Sequence, residues 1–246
     1  MLDTALIVAM FAALLAGLVT GLTGFGIAMI STPLLLFIYE PRTVVVLTVV
    51  FSMFITASVV WDSWHEARRR LALSLLIPAL FGVVVGTVVL DAVDPDYIRL
   101  GIGAIVIFSA VLLVRDFRLP GAETRWGTLV AGSLSGALTT STGLAAPPVV
   151  LLLASRGLPK DEFRGTTALY FLPMSIAGFA VLAARGLVEA PEIPLGLALV
   201  PAAIIGKAIG TTLLERISEN AFRAITLGLV ILTGTLGVTT AAWALL

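Results

Sequence analysis

The chain has 246 residues, of which 59% are hydrophobic and only 12% charged, and its mean hydropathy is +1.10. Soluble globular domains carry about 25% charged residues, so this composition excludes an ordinary soluble domain. The 15 basic and 15 acidic residues cancel, which gives no indication of a nucleic-acid partner, and the lack of cysteine excludes disulfides and thiolate metal sites.

Eight apolar runs follow one another along the chain, separated by short polar segments. Most have about the 20 residues that an α-helix needs to cross a hydrocarbon core of roughly 30 Å. Backbone groups in lipid must be hydrogen-bonded internally, and the runs are continuous rather than alternating. We therefore predict transmembrane helices and not a β-barrel. The runs cover residues 4–39, 43–61, 71–90, 97–114, 126–155, 165–184, 194–214 and 221–244.

Two of these runs are too long for a simple crossing. As one helix, segment 4–39 would be about 54 Å long. It contains Gly21, Gly24 and Gly26 near its middle, and segment 126–155 contains the patch 139–143. Because glycine permits turns inside apolar sequence, we predict that each run is two short helices joined by an unwound or re-entrant turn.

Ordered similarities between the two halves of the chain indicate an internal repeat. Three positions, Gly17, Gly21 and Pro33, recur at an offset of 115 as Gly132, Gly136 and Pro148. Two further groups recur at offsets of 122 and 124: Glu40 and Arg42 as Glu162 and Arg164, then Gly82, Gly86, Thr87 and Arg99 as Gly206, Gly210, Thr211 and Arg223. We predict two repeats, residues 1–116 and 117–246, within one membrane domain.

The distribution of basic residues tests how often the chain crosses the membrane, because such residues favour cytoplasmic loops. With eight plain spans, each face holds seven basic residues. If segment 126–155 enters and leaves on one face, the counts become 11 and 3. The predicted fold is therefore all-α and polytopic, with two inverted repeats, each a re-entrant hairpin plus three transmembrane helices. Eight plain spans remain the alternative. Loops 62–70, 115–125, 156–164 and 215–223 are expected in the cytoplasm.

The two hairpin tips are the first candidate for a binding site. Helix ends at such breaks offer free N–H groups, and adjacent hydroxyls add neutral donors suited to an oxyanion. The alternative is that the small residues only let helices pack closely, and we favour it for the glycines outside the tips. The tip candidates are Thr20, Thr23, Gly24 and Gly26 in the first repeat, and Thr139, Thr140, Ser141, Thr142 and Gly143 in the second.

Four other residues are candidates because they are polar within or beside apolar segments. Lys207 lies inside a predicted span, where a charge costs about 2.5 kcal/mol or more, so it is a candidate for substrate contact unless it reaches the interface. Tyr170 is a candidate lining residue. Arg42 and Arg164 begin corresponding spans and are candidates for gating or substrate approach, with interfacial anchoring as the alternative.

The sequence contains no pattern typical of an enzyme, such as an intramembrane carboxylate pair or a metal-binding HExxH motif. We therefore expect no catalytic activity, no cofactor and no metal site.

The glycine pattern resembles that of a known family. The stretch from Ala16 to Gly26, running on to Pro33, is similar to the opening motif of the TauE/SafE sulfite-exporter family. The second half resembles that family's repeat from Gly132 through Pro148 to Phe163–Thr167. The resemblance covers nearly the whole chain. Ile27 and Ala28 stand where a longer glycine run is often found, and Thr139 and Ser141 replace glycines in the second repeat. At these points we expect substrate contacts from side-chain hydroxyls more than from the backbone.

The resemblance implies transport of a small sulfur-containing or organic anion, such as sulfite or a sulfonate, across a bacterial cytoplasmic membrane. Our hypothesis is a secondary transporter that works by alternating access, with a passive anion channel as the alternative. The partners expected are the small anion, the lipid bilayer and a coupling ion, either a proton or sodium. Family members include exporters and uptake permeases, so the resemblance leaves the direction of transport and the oligomeric state open.

Overall fold

A computed structural model describes residues 4–94, 97–98, 101, 104, 121–218 and 221–222. Apart from those isolated positions, the predicted segments 97–114 and 221–244 lie outside the described residues. So do the basic residues Arg99, Arg115, Arg118 and Arg223 of the predicted loops and repeats.

All regular structure in the described residues is helical. Five helices are long and apolar enough to cross a membrane, which agrees with a multi-pass membrane protein. In chain order the helices are α1 Thr4–Thr23, α2 Ile27–Leu35, α3 Pro41–Ser63, α4 Arg69–Ala92, α5 Arg125–Ser141, α6 Ala146–Ser155, α7 Lys160–Ala184 and α8 Glu192–Arg216. The five long ones are α1, α3, α4, α7 and α8.

Both long apolar runs are broken, as predicted. The first break falls at residues 24–26, where Gly24 and Gly26 have φ angles of 80° and 106°, and the second at residues 142–145, where Gly143 has φ 75°. Only glycine adopts such angles at little cost. The helices that follow, α2 with 9 residues and α6 with 10, are about 14–15 Å long and reach half-way across a bilayer.

The breaks are shorter than the sequence predicted. Gly21 lies inside α1, and its position is fixed by helix packing and not by a turn. Thr139, Thr140 and Ser141 continue α5 to its last residue. Helical hydrogen bonding therefore extends through most of the hydroxyl-rich patch, where the Thr139 and Ser141 hydroxyls bond to carbonyls one turn earlier and leave the helix intact.

Two helix pairs cross at glycines so closely that no side chain fits between them. A Cβ on Gly17 would lie 2.0 Å from the Ala203 carbonyl oxygen, and one on Gly206 would lie 1.9 Å from that of Leu14, so α1 packs backbone to backbone on α8. α4 and α5 meet in the same way through Gly82, Gly86, Gly132 and Gly136. The helices of each pair run parallel, because contact positions increase together along both. Small residues commonly permit such approach in membranes.

Helices α3 and α7 run antiparallel through the centre. The Ser52 and Ser175 hydroxyls are hydrogen-bonded at 2.9 Å, and a Cβ on Gly165 would lie 2.7 Å from the Ser63 carbonyl oxygen. At the other end of α3, the Arg42 Nε donates to the Leu187 carbonyl at 3.0 Å. Each end of α3 therefore lies beside the opposite end of α7.

Contacts join four segments at one end of the molecule, which we call the basic end: residues 62–68, 121–128, 156–166 and 214–217. The Arg68 N–H donates to the Thr166 hydroxyl at 2.9 Å, and the Lys160 Nζ donates to the Ile217 carbonyl at 2.8 Å. Arg156 donates to the Ala122 carbonyl and the Thr128 hydroxyl at 2.8 and 2.7 Å. The chain therefore leaves α6 beside the place where it enters α5. The opposite end contains Arg42 and the loop 185–191.

Candidate functional site

A threonine stabilises each helix break in the same way. The Thr23 hydroxyl lies 2.8 Å from the Val19 carbonyl oxygen and accepts the Phe25 N–H at 3.3 Å. Thr142 bonds to the Leu138 carbonyl at 3.0 Å and accepts the Leu144 N–H at 3.3 Å. Such side-chain bonds to backbone replace helical ones where the chain turns. The side chains of these two threonines thus build the turns.

The two breaks line a common cavity of about 50 Å³, which we call the central cavity. Residues 25–28 of the first break and residues 143, 145 and 146 of the second contribute to its wall, together with one face of α3 and residues from α5 and α7. Counted in the same way, as the space open to the centre of a water-sized sphere, a cavity needs only about 10–15 Å³ to hold one water molecule. The central cavity therefore has room for an anion of a few non-hydrogen atoms. Its hydroxyl-bearing residues are Thr48, Ser52, Thr56, Thr139 and Ser175.

One of these hydroxyls has no hydrogen-bond partner among the described residues. It is the Oγ1 of Thr48, a residue that is only 3% exposed. The neighbouring Thr56 and Thr139 hydroxyls donate to carbonyls one turn earlier, at 2.6 and 2.8 Å, and keep only their acceptor capacity. A buried polar group without a partner is costly and calls for an explanation, which an absent ligand would supply.

The two half-length helices present different N-termini to the cavity. The first backbone bond of α2 runs from the Ile30 N–H to the Gly26 carbonyl, so the N–H groups of Ile27, Ala28 and Met29 precede it. In α6, prolines at positions 147 and 148 occupy the corresponding first turn and have no N–H to offer. The positive end of α2 is therefore the better of the two for an anion.

A second, larger opening of about 810 Å³ lies at the basic end, and we call it the charged vestibule. It is lined by the end of α3, the start of α7 and the end of α8: Trp61, Asp62, Ser63, Glu66, Lys160, Asp161, Arg164, Thr211, Leu214 and Glu215. It shares no lining residue with the central cavity.

Three charged side chains meet at the inner side of this vestibule. The Asp62 Oδ2 accepts a hydrogen bond from the Lys207 Nζ and lies 3.6 Å from the Arg164 guanidinium. Arg164 also donates from Nε to the Gly21 carbonyl at 2.9 Å and to the Thr211 hydroxyl at 3.0 Å. Gly21 lies in the last turn of α1, whose carbonyls lack helical partners, so Arg164 caps the end of α1 just before its break.

Sequence comparison agrees with this architecture. The family profile described as "Sulfite exporter TauE/SafE" matches residues 9–236, which is nearly the whole chain. The chain belongs to the TauE/SafE family. Comparison with curated proteins and with solved structures finds no significant match. The resemblance seen in the glycine motifs is thus confirmed, and with it the assignment to a family of membrane transporters.

The predicted site residues of this TauE/SafE protein are distributed over both openings and their surroundings. Gly26, Thr139 and Gly143 line the central cavity, and Arg164 lines the charged vestibule, where Lys207 pairs with Asp62. Gly24 packs against α7, where a Cβ would lie 2.6 Å from the Arg164 carbonyl oxygen. Arg42 lies at the opposite end, bonded to the Leu187 and Gly186 carbonyls.

The remaining candidates lie near the openings without lining them. The Thr20 and Ser141 hydroxyls bond to carbonyls of their own helices, and the Thr140 hydroxyl bonds to the Val83 carbonyl of α4 at 2.7 Å. Tyr170 is fully buried against Phe171, and its hydroxyl has no hydrogen-bond partner among the described residues.

Several residues of both openings were missed in the sequence. Thr48, Ser52 and Thr56 recur every four residues, a spacing that places them on one face of α3 and could have marked that face as polar. Asp62 was assigned to a polar loop, although an intramembrane Lys207 requires a counter-ion. No group of three His, Cys, Asp or Glu side chains that could hold a metal ion occurs within the described part of the chain.

Proposed function

We propose that this TauE/SafE protein is a secondary transporter for a small oxyanion of the sulfite or sulfonate class, acting in a bacterial cytoplasmic membrane. The observation that carries the proposal is the central cavity, which is lined by both helix breaks and by Thr48, whose hydroxyl has no hydrogen-bond partner in the part of the chain that the structure describes. Neutral donors and an α2 N-terminus suit an anion that must bind and then leave. The family match supports the choice of a sulfur oxyanion.

We further propose that residues 1–116 and 117–246 are inverted repeats. Equivalent contacts in the two halves support this: Gly24 packs on Thr167, while Gly143 packs on Val45. Thr167 follows Val45 by 122 residues, the same offset that relates Arg164 to Arg42. The contacts of Arg156 beside the entrance to α5 support a re-entrant α5–α6 hairpin. On the positive-inside rule, the basic end would face the cytoplasm.

Alternating access in this fold would move units that mix the two repeats. The close crossings tie α1 to α8 and α4 to α5, and each pair draws one helix from either half. We propose that these two pairs tilt about α3 and α7, opening the central cavity to one end and then the other. A proton or sodium gradient would drive the cycle, as in other inverted-repeat carriers.

Transport of radiolabelled sulfite into proteoliposomes tests the function. Replacing Thr48 by valine removes one hydroxyl at constant shape, and we expect KM to rise about tenfold, because a hydrogen bond to a charged group contributes about 1.5–3 kcal/mol. Thr87→Val is the matched control, since that buried hydroxyl bonds to the Val83 carbonyl of α4 and does not line the cavity.

Counterflow separates a carrier from a channel. Sulfite loaded inside the vesicles should stimulate uptake through a carrier, whereas a channel would show no such exchange. Equal KM values for Thr48→Val and Thr87→Val would show that the transported anion does not bind in the central cavity. Absence of sulfite and sulfonate flux altogether would refute the proposed substrate class.

A further inference from the structure

The charged vestibule holds more buried positive than negative charge at its inner side. The side chains of Arg164 and Lys207 are only 6% and 9% exposed, and both use the same oxygen of one carboxylate. Two cations that share a single carboxylate leave one of them without an ion-pair partner of its own among the described residues, in a poorly hydrated environment. Such a charge attracts an anion much more strongly than an exposed one does.

Asp62 lies on the outer side of the two cations. Its side chain is 31% exposed and lines the vestibule, so the carboxylate can move into solvent while the cations stay within the helix packing. A sulfite or sulfonate group carries several oxygens and can offer a separate acceptor to Arg164 and to Lys207. The single Oδ2 atom of Asp62 must serve both.

The other charges of the vestibule concentrate this attraction at its inner side. Glu66, Asp161 and Glu215 line the rim and repel an anion there, and Lys160 is bonded to the carbonyls at the end of α8. An oxyanion entering from the basic end therefore gains favourable contacts only when it reaches Arg164 and Lys207.

We propose that Arg164 and Lys207 form an access site for a small oxyanion, and that Asp62 occupies this site until the substrate displaces it. The proposal rests on the proposed function and adds a second anion site outside the central cavity. This site brings together Asp62 and Lys207, which are 145 residues apart in the sequence. Asp62 is thus a built-in competitor of the substrate.

Displacement of Asp62 would also reach the first helix break. Arg164 holds the Gly21 carbonyl through its side chain, and a Cβ on Gly21 would lie 2.2 Å from the backbone carbonyl oxygen of Lys207. The side chain of Arg164 and the backbone of Lys207 therefore both contact the last turns of α1. An oxyanion that draws Arg164 toward itself competes with the bond to Gly21. Arrival of substrate then loosens the end of α1 that leads into the central cavity.

The test measures sulfite binding by the purified full chain in detergent, as the shift of the melting midpoint with sulfite concentration. Asp62→Asn removes the competing charge, and we expect the apparent Kd for sulfite to fall about tenfold, because an ionic competitor is replaced by a neutral one. The matched control is Glu66→Gln, which removes a vestibule carboxylate that forms neither ion pair and should leave Kd within a factor of about two.

The single variant Lys207→Gln keeps the proposal testable if Asp62→Asn does not fold, and the double variant adds a check if it does. Lys207→Gln removes one cation and should raise the Kd for sulfite at least about tenfold. Added to Asp62→Asn, it should abolish the tighter sulfite binding expected for that variant. An unchanged or higher Kd in Asp62→Asn overturns the proposal, as does an unchanged Kd in Lys207→Gln.

The outcome is separable from that of the transport assay. If the wild-type protein carries sulfite but Asp62→Asn binds no more tightly, Asp62 is not a competitor and the transport function stands. If Asp62→Asn binds sulfite more tightly while no variant carries it, the site stands and the proposed function fails.

Discussion

Arg42 and Arg164 lie near the starts of α3 and α7 and match each other in the repeat that we propose, yet their environments differ. Arg164 is buried at the basic end, where it bonds to α1 and α8 and lies beside Asp62. Arg42 is 40% exposed at the opposite end, where it bonds to loop carbonyls and lies 3.9 Å from Glu189. One end is held by a buried charge cluster and the other by solvated loop contacts.

In the alternating-access cycle that we propose, this difference would make the two ends open at different cost. Exposed ion pairs contribute about 0–1 kcal/mol, so the contacts of Arg42 resist separation only weakly. Buried charge-assisted hydrogen bonds contribute more, and Arg164 makes two of them. In that proposed cycle, the opposite end would be the easier one to open when the charged vestibule is empty.

An all-or-none difference is expected when the two ends are labelled. The chain has no cysteine, so single cysteines can be placed at the exposed positions Glu123 and Asp161 of the basic end and Glu40 and Glu189 of the opposite end. In oriented membranes, an impermeant thiol reagent should label Glu123→Cys and Asp161→Cys from one face, and Glu40→Cys and Glu189→Cys from the other. Eight plain spans would place positions 123 and 161 on opposite faces.

A large difference in stability is expected between the two arginines. Arg164→Gln loses the bonds to the Gly21 carbonyl and the Thr211 hydroxyl, and we expect the free energy of unfolding to fall by about 3 kcal/mol. Arg42→Gln, its counterpart, should lose about 1 kcal/mol or less. Denaturation of both variants in mixed micelles measures the two values. Equal losses would show that burial does not distinguish the two ends.

Smaller and equal effects are expected at the two glycine crossings, α4 on α5 and α1 on α8, because both bring the helix backbones about equally close. A Cβ at Gly82 would lie 2.1 Å from the Ser133 carbonyl oxygen, and one at Gly206 would lie 1.9 Å from that of Leu14. Gly82→Ala and Gly206→Ala should each lower the free energy of unfolding by about 1–3 kcal/mol, because the backbones must move apart. Gly101→Ala is the control, since none of the described residues lies within 4 Å of its Cβ position. Unequal losses at the two crossings would contradict their equivalence.

The sequence predicted the helical membrane class, the family and the two helix breaks, because these depend on local composition and on glycine. It could not predict the extent of the breaks. Successive residues of a helix point about 100° apart, so once α5 continues through Ser141, only Thr139 of the three neighbouring hydroxyl residues of α5 reaches the central cavity.

The charged cluster could not be derived from the sequence for a different reason. Asp62, Arg164 and Lys207 come from three helices, and the pair formed by Asp62 and Lys207 is separated by 145 residues. Local patterns carry no information on which helix ends meet. Lys207 indicated that some partner must exist, but only the packing of α3, α7 and α8 identifies it as Asp62.

The parallel crossings also have a consequence for how the protein is made. Leu75 and Gly132, which meet between α4 and α5, are separated by 57 residues, whereas Leu14 and Gly206, between α1 and α8, are separated by 192. At about 5–20 residues per second, the ribosome needs roughly 10–40 seconds to supply the partner of α1 after α1 itself has been made. Helix α1 is thus synthesised well before the helix against which it packs, and its glycine face waits in lipid or against the insertion machinery until α8 arrives.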